Sequence, residues 1–577
     1  MTARTPESGR AAGDTGRLRV VLCWDLHQPC YRDLASGEFV LPWAYLHGLR
    51  DYGELAHHLE TVPGATAVVS LSPLLVEQLD VYVAALAAWL RTGRTIPDRL
   101  LAALADGVPA DPADWPLLVR ACLAASPRRA DSAFRPYREL LQRARRWYAG
   151  LAPGHRPAGA TDEWDAGALA DLVVWCHLLW CGESLRRGDP RIASLADRDG
   201  AFSAADRRAL VEAIYDALAG LVPRYRRLLG NGQVELAVTP WGHPIVPLLL
   251  DFRAARAFEP GAVLPGEATY PGGTGRAGWH LARAVQAFTR TFGVRPSGCW
   301  PAGGALDLRT ALLLETFGFT WCASGEGVLR ATLEPGTAAL DPAATHRPWR
   351  VAEGRLSCFF GDEELAARLT AESAPEGAAS ATSIVARLEE LARRYAGDPA
   401  RVVSIVVRGG NPSTHAGEVG HVGLLSLCRM LAEHPALELT TYSAALAATP
   451  ERLGLTGLAA GSARRGAFRD WIGSPAKNRV WELLCEAKRV FDQVVVEGSL
   501  DEAGQLAAEQ QLGVLESSDW TAWFDAGHTQ DSVASVDALY RRHLCNLYAL
   551  LGEAAPSDLG LSVAACTAAP PPLARRG

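Results

Sequence analysis

Clustered cysteines are missing from this 577-residue chain, although it holds twelve cysteines. They are scattered singly, the closest pair being Cys176 and Cys181, with no Cys-x-x-Cys and no Cys/His spacing suited to zinc. A zinc finger and a disulfide framework are thereby disfavoured, and buried reduced thiols are expected. No run approaches about 18 uncharged apolar residues, the length that crosses a bilayer. The opening "MTARTPESGRAAGDTGRLRV" is polar and has no apolar core of the kind a secretory signal needs, so a cytoplasmic chain with a disordered tail over residues 1–17 is expected. Charge of one sign is also scarce. With 57 Lys and Arg against 64 Asp and Glu, the net charge of −7 argues against nucleic-acid or polybasic membrane partners. No internal repeat is present.

What remains is an ordinary globular composition, 49% hydrophobic and 21% charged, at a length beyond one hydrophobic core. Four apolar runs end in polar or Gly/Pro turns: "RLRVVLCWDLHQP", "ATAVVSLSP", "QVELAVTPWGHP" and "RVVSIVVRGGNP". Helical patterns such as "HLARAVQAFTRTFG" and "ALLLETFGF" lie between runs of this kind. Continuous apolar strands alternating with helices predict a parallel sheet covered on both faces. Their spread over about 400 residues fits an α/β barrel with insertions better than one compact open sheet. Residues 85–230 read as a helical insertion, and the chain after Pro450 as a helical domain over 451–562. A Pro-rich tail, 563–577, is expected to be disordered.

In a parallel barrel, functional groups gather where strands end. That rule singles out His27, Gln28, Glu235, Trp241, His243, the stretch Trp300 to Asp307, and Arg408 to Asn411. Each has a structural reading alone: a histidine after a strand more often completes a loop hydrogen bond, and Trp300 packs a core as readily as a rim. Together they are side chains that hydrogen-bond sugar hydroxyls and stack on sugar faces.

The same residues resemble glycoside hydrolase family 57, in its α-amylase/α-mannosidase-like branch. "LCWDLHQPCYRD", "GQVELAVTPWGHPIVPLL", "GVRPSGCWPAGGALD", "WIGSPAKNRVWELLCEAKRVFD" and "SSDWTAWFDAGHTQDS" match the family's motifs in order. The resemblance implies an incomplete TIM-like barrel of seven β/α units over residues 18–450, a C-terminal helical domain, and a retaining mechanism on α-glucans without metal or other cofactor. It implies substrate contacts from His27, Gln28, Glu235, Trp241, His243 and Trp300.

A retaining mechanism needs two carboxyl groups about 5 Å apart. Where the family's Trp-Pro-Ser/Ala-Glu-Gly carries the nucleophile, this chain has Gly303. Where the strand-end Leu-Asp-Gly-Glu-Asn carries the acid/base, it has Arg408, and Gly410 replaces the following Glu. In "FGDEELAA", Gly361, Glu363 and Ala367 replace the family's Arg, His and Asp. Glycine has no group that attacks, and arginine stays protonated at usable pH. The expectation is a pseudoenzyme retaining a carbohydrate-binding cleft for an α-glucan, maltooligosaccharide or sugar phosphate. Two alternatives stand beside it. One is an active glycosidase or glucanotransferase using substitute carboxylates among Asp25, Glu235, Asp307, Asp362 and Glu363. The other is a purely structural protein. Arg408 is expected either to attract an anionic ligand or to pair with Asp362 or Glu363.

Overall fold

A computed structural model of the chain describes residues 16–126, 134–151, 164–333, 341–370, 377–408, 418–524 and 530–563. The apolar runs become short strands: β1 Leu18–Leu26, β2 Ala67–Leu71, β3 Val234–Val238, β4 Gly298–Cys299, β5 Trp321–Gly325, β6 Trp349–Val351, β7 Ser357–Gly361, β8 Val402–Arg408, β9 Leu437–Leu439 and β10 Leu453–Leu455. All nine residues of β1 are buried, as a strand covered on both faces requires.

Seven strands close into a parallel barrel in the order β1, β2, β3, β4, β5, β7, β8, with β8 returning to β1 along seven register pairs from Arg19↔Val402 to Asp25↔Arg408. The seam between β7 and β8 is thin, a single register pair, Gly361↔Ser404. Outside the barrel, β6 runs antiparallel to β7, β10 extends β6, and β9 lies on β1. Bulky side chains fill the interior. The Trp321 indole crosses Gly298 so closely that a Cβ there would lie 1.8 Å from the ring. Tyr442, 4.5 Å from Trp321 and 4.3 Å from Phe359 between ring centroids, packs beneath it.

The helical insertion fills the whole connection from β2 to β3, from helix Pro73–Thr92 to helix Ala204–Gly230, so it begins earlier than the sequence pattern implies. By length and composition alone, Pro73–Thr92 is apolar enough to cross a membrane, although Glu77, Asp80 and Arg91 interrupt it and no uncharged run of that length is present. Half of that stretch is buried in the fold, and its Glu77 accepts the Trp241 indole N–H at 3.1 Å. It packs as a core helix here.

The helical C-terminal region also starts later than expected. Residues 451–474 are not helical: β10 joins the sheet and the following loop lies over the barrel. Helices then occupy Pro475–Glu497, Glu502–Leu515 and Gln530–Leu551. Residues 1–15 and 564–577 lie outside the described residues. Val563, expected within the disordered tail, is buried and its N–H donates to Asp537 at 2.8 Å. Every cysteine among the described residues is free, and all but Cys545 are buried.

Barrel and C-terminal helices are joined by a buried carboxylate, Glu516. Arg276 donates to it from Nε and Nη2, both at 2.8 Å, His280 Nε2 at 2.7 Å, and the Tyr270 hydroxyl at 2.8 Å. Burial alone would raise this carboxyl, but the Arg276 guanidinium and the His280 hydrogen bond overcome it and hold it at about 2. Its folded value lies below the ordinary 4.5, so the stabilisation is complete above about pH 4.5 and is lost as pH falls towards 2. Glu516→Gln should cost about 3–5 kcal/mol at neutral pH, because Arg276 is left buried without its counter-ion. Urea unfolding of both proteins across that acid range checks this, and the variant should lose less stability with acid than the parent.

Candidate functional site

The chain leaves β1 at His27 and β3 through Thr239-Pro240-Trp241-Gly242-His243, at the same end of the barrel. The second turn is set from outside. Because His280 Nε2 donates to Glu516, its Nδ1 is left to accept the Gly242 N–H at 3.1 Å. A Cβ on Gly242 would meet the Gly513 carbonyl at 2.5 Å, so the close approach requires glycine. His243 follows with φ +57°, a left-handed conformation uncommon for residues other than glycine. The surroundings impose it, as happens at many functional sites.

This turn stacks the His243 ring on His27, with centroids 3.7 Å apart and planes 10° from parallel. The C-terminal region supplies both partners: His27 Nε2 donates to Asp519 Oδ2 at 2.9 Å, and His243 Nδ1 meets the Ser518 hydroxyl at 2.9 Å. Burial, with the neighbouring His27, pushes the His243 imidazole well below its ordinary range, so it is neutral near pH 7. Burial would raise Asp519, but His27, His243 and Ser517 hold it below its ordinary value and keep it ionised. His27 Nδ1 and His243 Nε2 are buried and lack a hydrogen-bond partner among the described residues; the latter lies 4.0 Å from Asp25 Oδ2. The donor atoms of His27, His243 and Asp519 come within 4.8 Å of one another. A shared metal is nevertheless disfavoured in this arrangement, because an ion must lie near each ligating ring's plane and these planes run nearly parallel.

The remaining expected residues do not join this cluster. Gln28 is fixed between the Tyr52 and Tyr31 hydroxyls, at 3.0 and 2.8 Å, and both of its polar ends are occupied. Glu235 lies at the opposite end of the barrel. It is the second residue of β3 and accepts the Trp321 indole N–H at 2.7 Å and the Ser443 amide at 2.9 Å, which corrects its expected place at the rim. Trp241 and Trp300 are corrected too. Both are 0% exposed, so neither has a free face for a sugar.

At the position matched to the nucleophile, Gly303 has φ +60° and Gly304 has φ +63°. A Cβ on Gly303 would lie 2.6 Å from Trp471 Cη2, and one on Gly304 would lie 2.6 Å from Ala463 Cβ. The loop after β10 is bonded in place, with Ala463 N–H to Gly303 O at 3.1 Å and Leu306 paired to Gly461. It covers the end of β4.

Of the substitute carboxylates, Asp307 caps helix Leu308–Thr316 through the Thr310 N–H at 2.7 Å. Asp362 accepts from His346 and the Leu365 N–H at 2.9 and 2.8 Å. The backbone of Arg408 pairs with Asp25, while its side chain and Gly409 to Asn411 lie outside the described residues, so its expected pairing with Asp362 or Glu363 falls there too. Glu326, directly after β5, was not singled out by the sequence. Burial first, then the nearby Glu363 and Asp362, push its carboxyl up to about 7. Only its place after an apolar run could have signalled it.

The sequence profile of glycosyl hydrolase family 57 matches residues 21–455, and the chain belongs to that family. Its fold is that of solved family 57 branching enzymes from the hyperthermophilic archaea Thermococcus kodakaraensis (14% identity, TM-score 0.57) and Pyrococcus horikoshii (14% identity, TM-score 0.55); both alignments cover 93% of this chain and 90% of the other. It is also that of an α-amylase from Thermotoga maritima, at 12% identity and TM-score 0.56, covering 96% of this chain and 99% of that one. No curated protein sequence matches the chain.

Replacing the buried Trp300 should therefore act on stability. Trp300→Ala is expected to lower the unfolding free energy by about 3–5 kcal/mol, read from denaturant melts. An unchanged midpoint would mean that the indole is not a packed element of the barrel.

Proposed function

We propose that this protein is a catalytically degenerate family 57 member that binds carbohydrate at the barrel rim without cleaving it. The observation carrying the proposal is Gly303. At the position where the family pattern has its nucleophile, the backbone is left-handed and Trp471 stands 2.6 Å from any added Cβ. A carboxylate there has neither the conformation nor the room. The matched acid/base position, Arg408, carries a guanidinium that cannot exchange a proton at usable pH. The ligand class is supported by the named relatives, branching enzymes and an α-amylase, one of them solved in complex with glucose. It is supported too by His27 Nδ1 and His243 Nε2, buried nitrogens whose hydrogen-bonding capacity sugar hydroxyls would satisfy. An α-glucan or maltooligosaccharide is the proposed ligand, with a sugar phosphate favoured if Arg408 faces it. The free, buried thiols support a reducing compartment, and the cytoplasm is the proposed location.

A second reading has one observation in its favour. Glu326, raised to about 7 beside Glu363, has the titration of a general acid next to a second carboxylate. One set of assays separates the two. Incubation with maltooligosaccharides and glycogen should release no product above a heat-killed control, from the parent or from Gly303→Glu, and the latter should be less stable. Release by the parent that disappears in Glu326→Gln would establish the second reading. Calorimetry with maltose and glucose 1-phosphate should show binding that weakens at least about tenfold in His243→Gln. No binding of either sugar would remove the carbohydrate role.

A further inference from the structure

A second histidine cluster lies outside the barrel, on the helices that follow β1 and β8. Helix Gly53–Thr61, which follows β1, presents Glu54 and His58 four residues apart and therefore on one face. His421 faces them from helix Glu418–Ala432, which follows β8. Glu54 is 2% exposed, His58 0% and His421 8%, a degree of burial such groups rarely reach without strong partners.

Protein groups satisfy most of the cluster and leave one nitrogen over. Glu54 Oε2 lies 2.6 Å from His421 Nδ1, and Oε1 accepts the Ser184 amide at 2.7 Å and also the Ser184 hydroxyl. His58 Nε2 donates to the His421 carbonyl at 3.2 Å, while its Nδ1 is buried with no partner among the described residues. One donor atom from each of Glu54, His58 and His421 comes within 4.8 Å of the others. The two rings are 4.7 Å apart and tilted by 45°, so their planes intersect and one ion can lie near both. This is the geometric difference from the stacked pair at the rim.

We propose that Glu54, His58 and His421 form a binding site for a divalent transition metal of the zinc, cobalt or nickel class. Two imidazoles and one carboxylate suit these ions, whereas magnesium and calcium take oxygen donors. Bonds of about 2.0–2.1 Å place tetrahedral ligands roughly 3.4 Å apart, which requires side-chain movements on the order of 1 Å. The ion displaces the proton shared between Glu54 and His421, and Ser184 continues to orient the carboxylate. Bound there, it ties the helix after β1 to the helix after β8, with the insertion attached through Ser184. The cluster shares no residue with the His27, His243 and Asp519 group, so its test reads a different site from the one proposed for carbohydrate.

The test is a titration of chelator-stripped full-length protein with Co2+, followed by visible absorption. The expected result is an endpoint at one equivalent with d–d bands of a four- or five-coordinate ion, displaced by Zn2+ and unaffected by excess Mg2+. His58→Gln and His421→Gln should each weaken that binding by at least about a hundredfold, and His243→Gln should leave it unchanged. The parent titration needs no variant, so a variant that misfolds does not remove the test. No one-equivalent endpoint in the parent, an endpoint surviving in both cluster variants, or its loss in His243→Gln would each overturn the proposal.

Discussion

The Glu516 carboxylate is the constraint on which the rim depends. A buried anion is tolerable only with its donors in place, and Arg276, His280 and Tyr270 supply them from the barrel side. Satisfying Glu516 fixes which nitrogen of His280 carries the proton. The other must accept from Gly242, and this places His243 in its left-handed turn over His27. Two residues beyond Glu516, Ser518 receives the His243 ring, and Asp519 receives His27. One charge pairing thus sets both the docking of the C-terminal helices and the posture of the imidazoles.

The absence of a carboxylate at residue 303 is matched by its surroundings. Trp471 and Ala463 occupy the directions in which side chains from Gly303 and Gly304 would project, and Ser324 donates its hydroxyl to the Gly304 carbonyl at 2.6 Å. Backbone conformation, packing and hydrogen bonding all agree with glycine there. A single Gly303→Glu substitution therefore meets a steric barrier before any chemical one.

The long strands were legible in the sequence because β1, β2, β3 and β8 are apolar runs closed by turn residues. Two-residue β4 and three-residue β6, β9 and β10 are too short to carry a pattern. His27 and His243 could be read because both follow such runs. Asp519 could not, since it reaches His27 across 492 residues through docking alone. Glu235 and His243 share one motif but lie on either side of a strand whose residues advance about 3.3 Å each, so proximity in sequence placed Glu235 at the wrong end. Trp241 and Trp300 were misjudged because residue type reveals an aromatic face but not what covers it.

Strand β1 has a consequence for biosynthesis. It is hydrogen-bonded on one flank to β2, but its other flank waits for β8, and Arg19 finds its bond to the Pro399 carbonyl 380 residues later. At translation rates of about 5–20 residues per second, that interval is roughly 20–80 s, during which a strand destined for complete burial emerges from the ribosome with a bare edge. Barrel closure is therefore a late event in synthesis. The nascent chain is most exposed to misassociation and most in need of chaperone shielding before residue 402 appears.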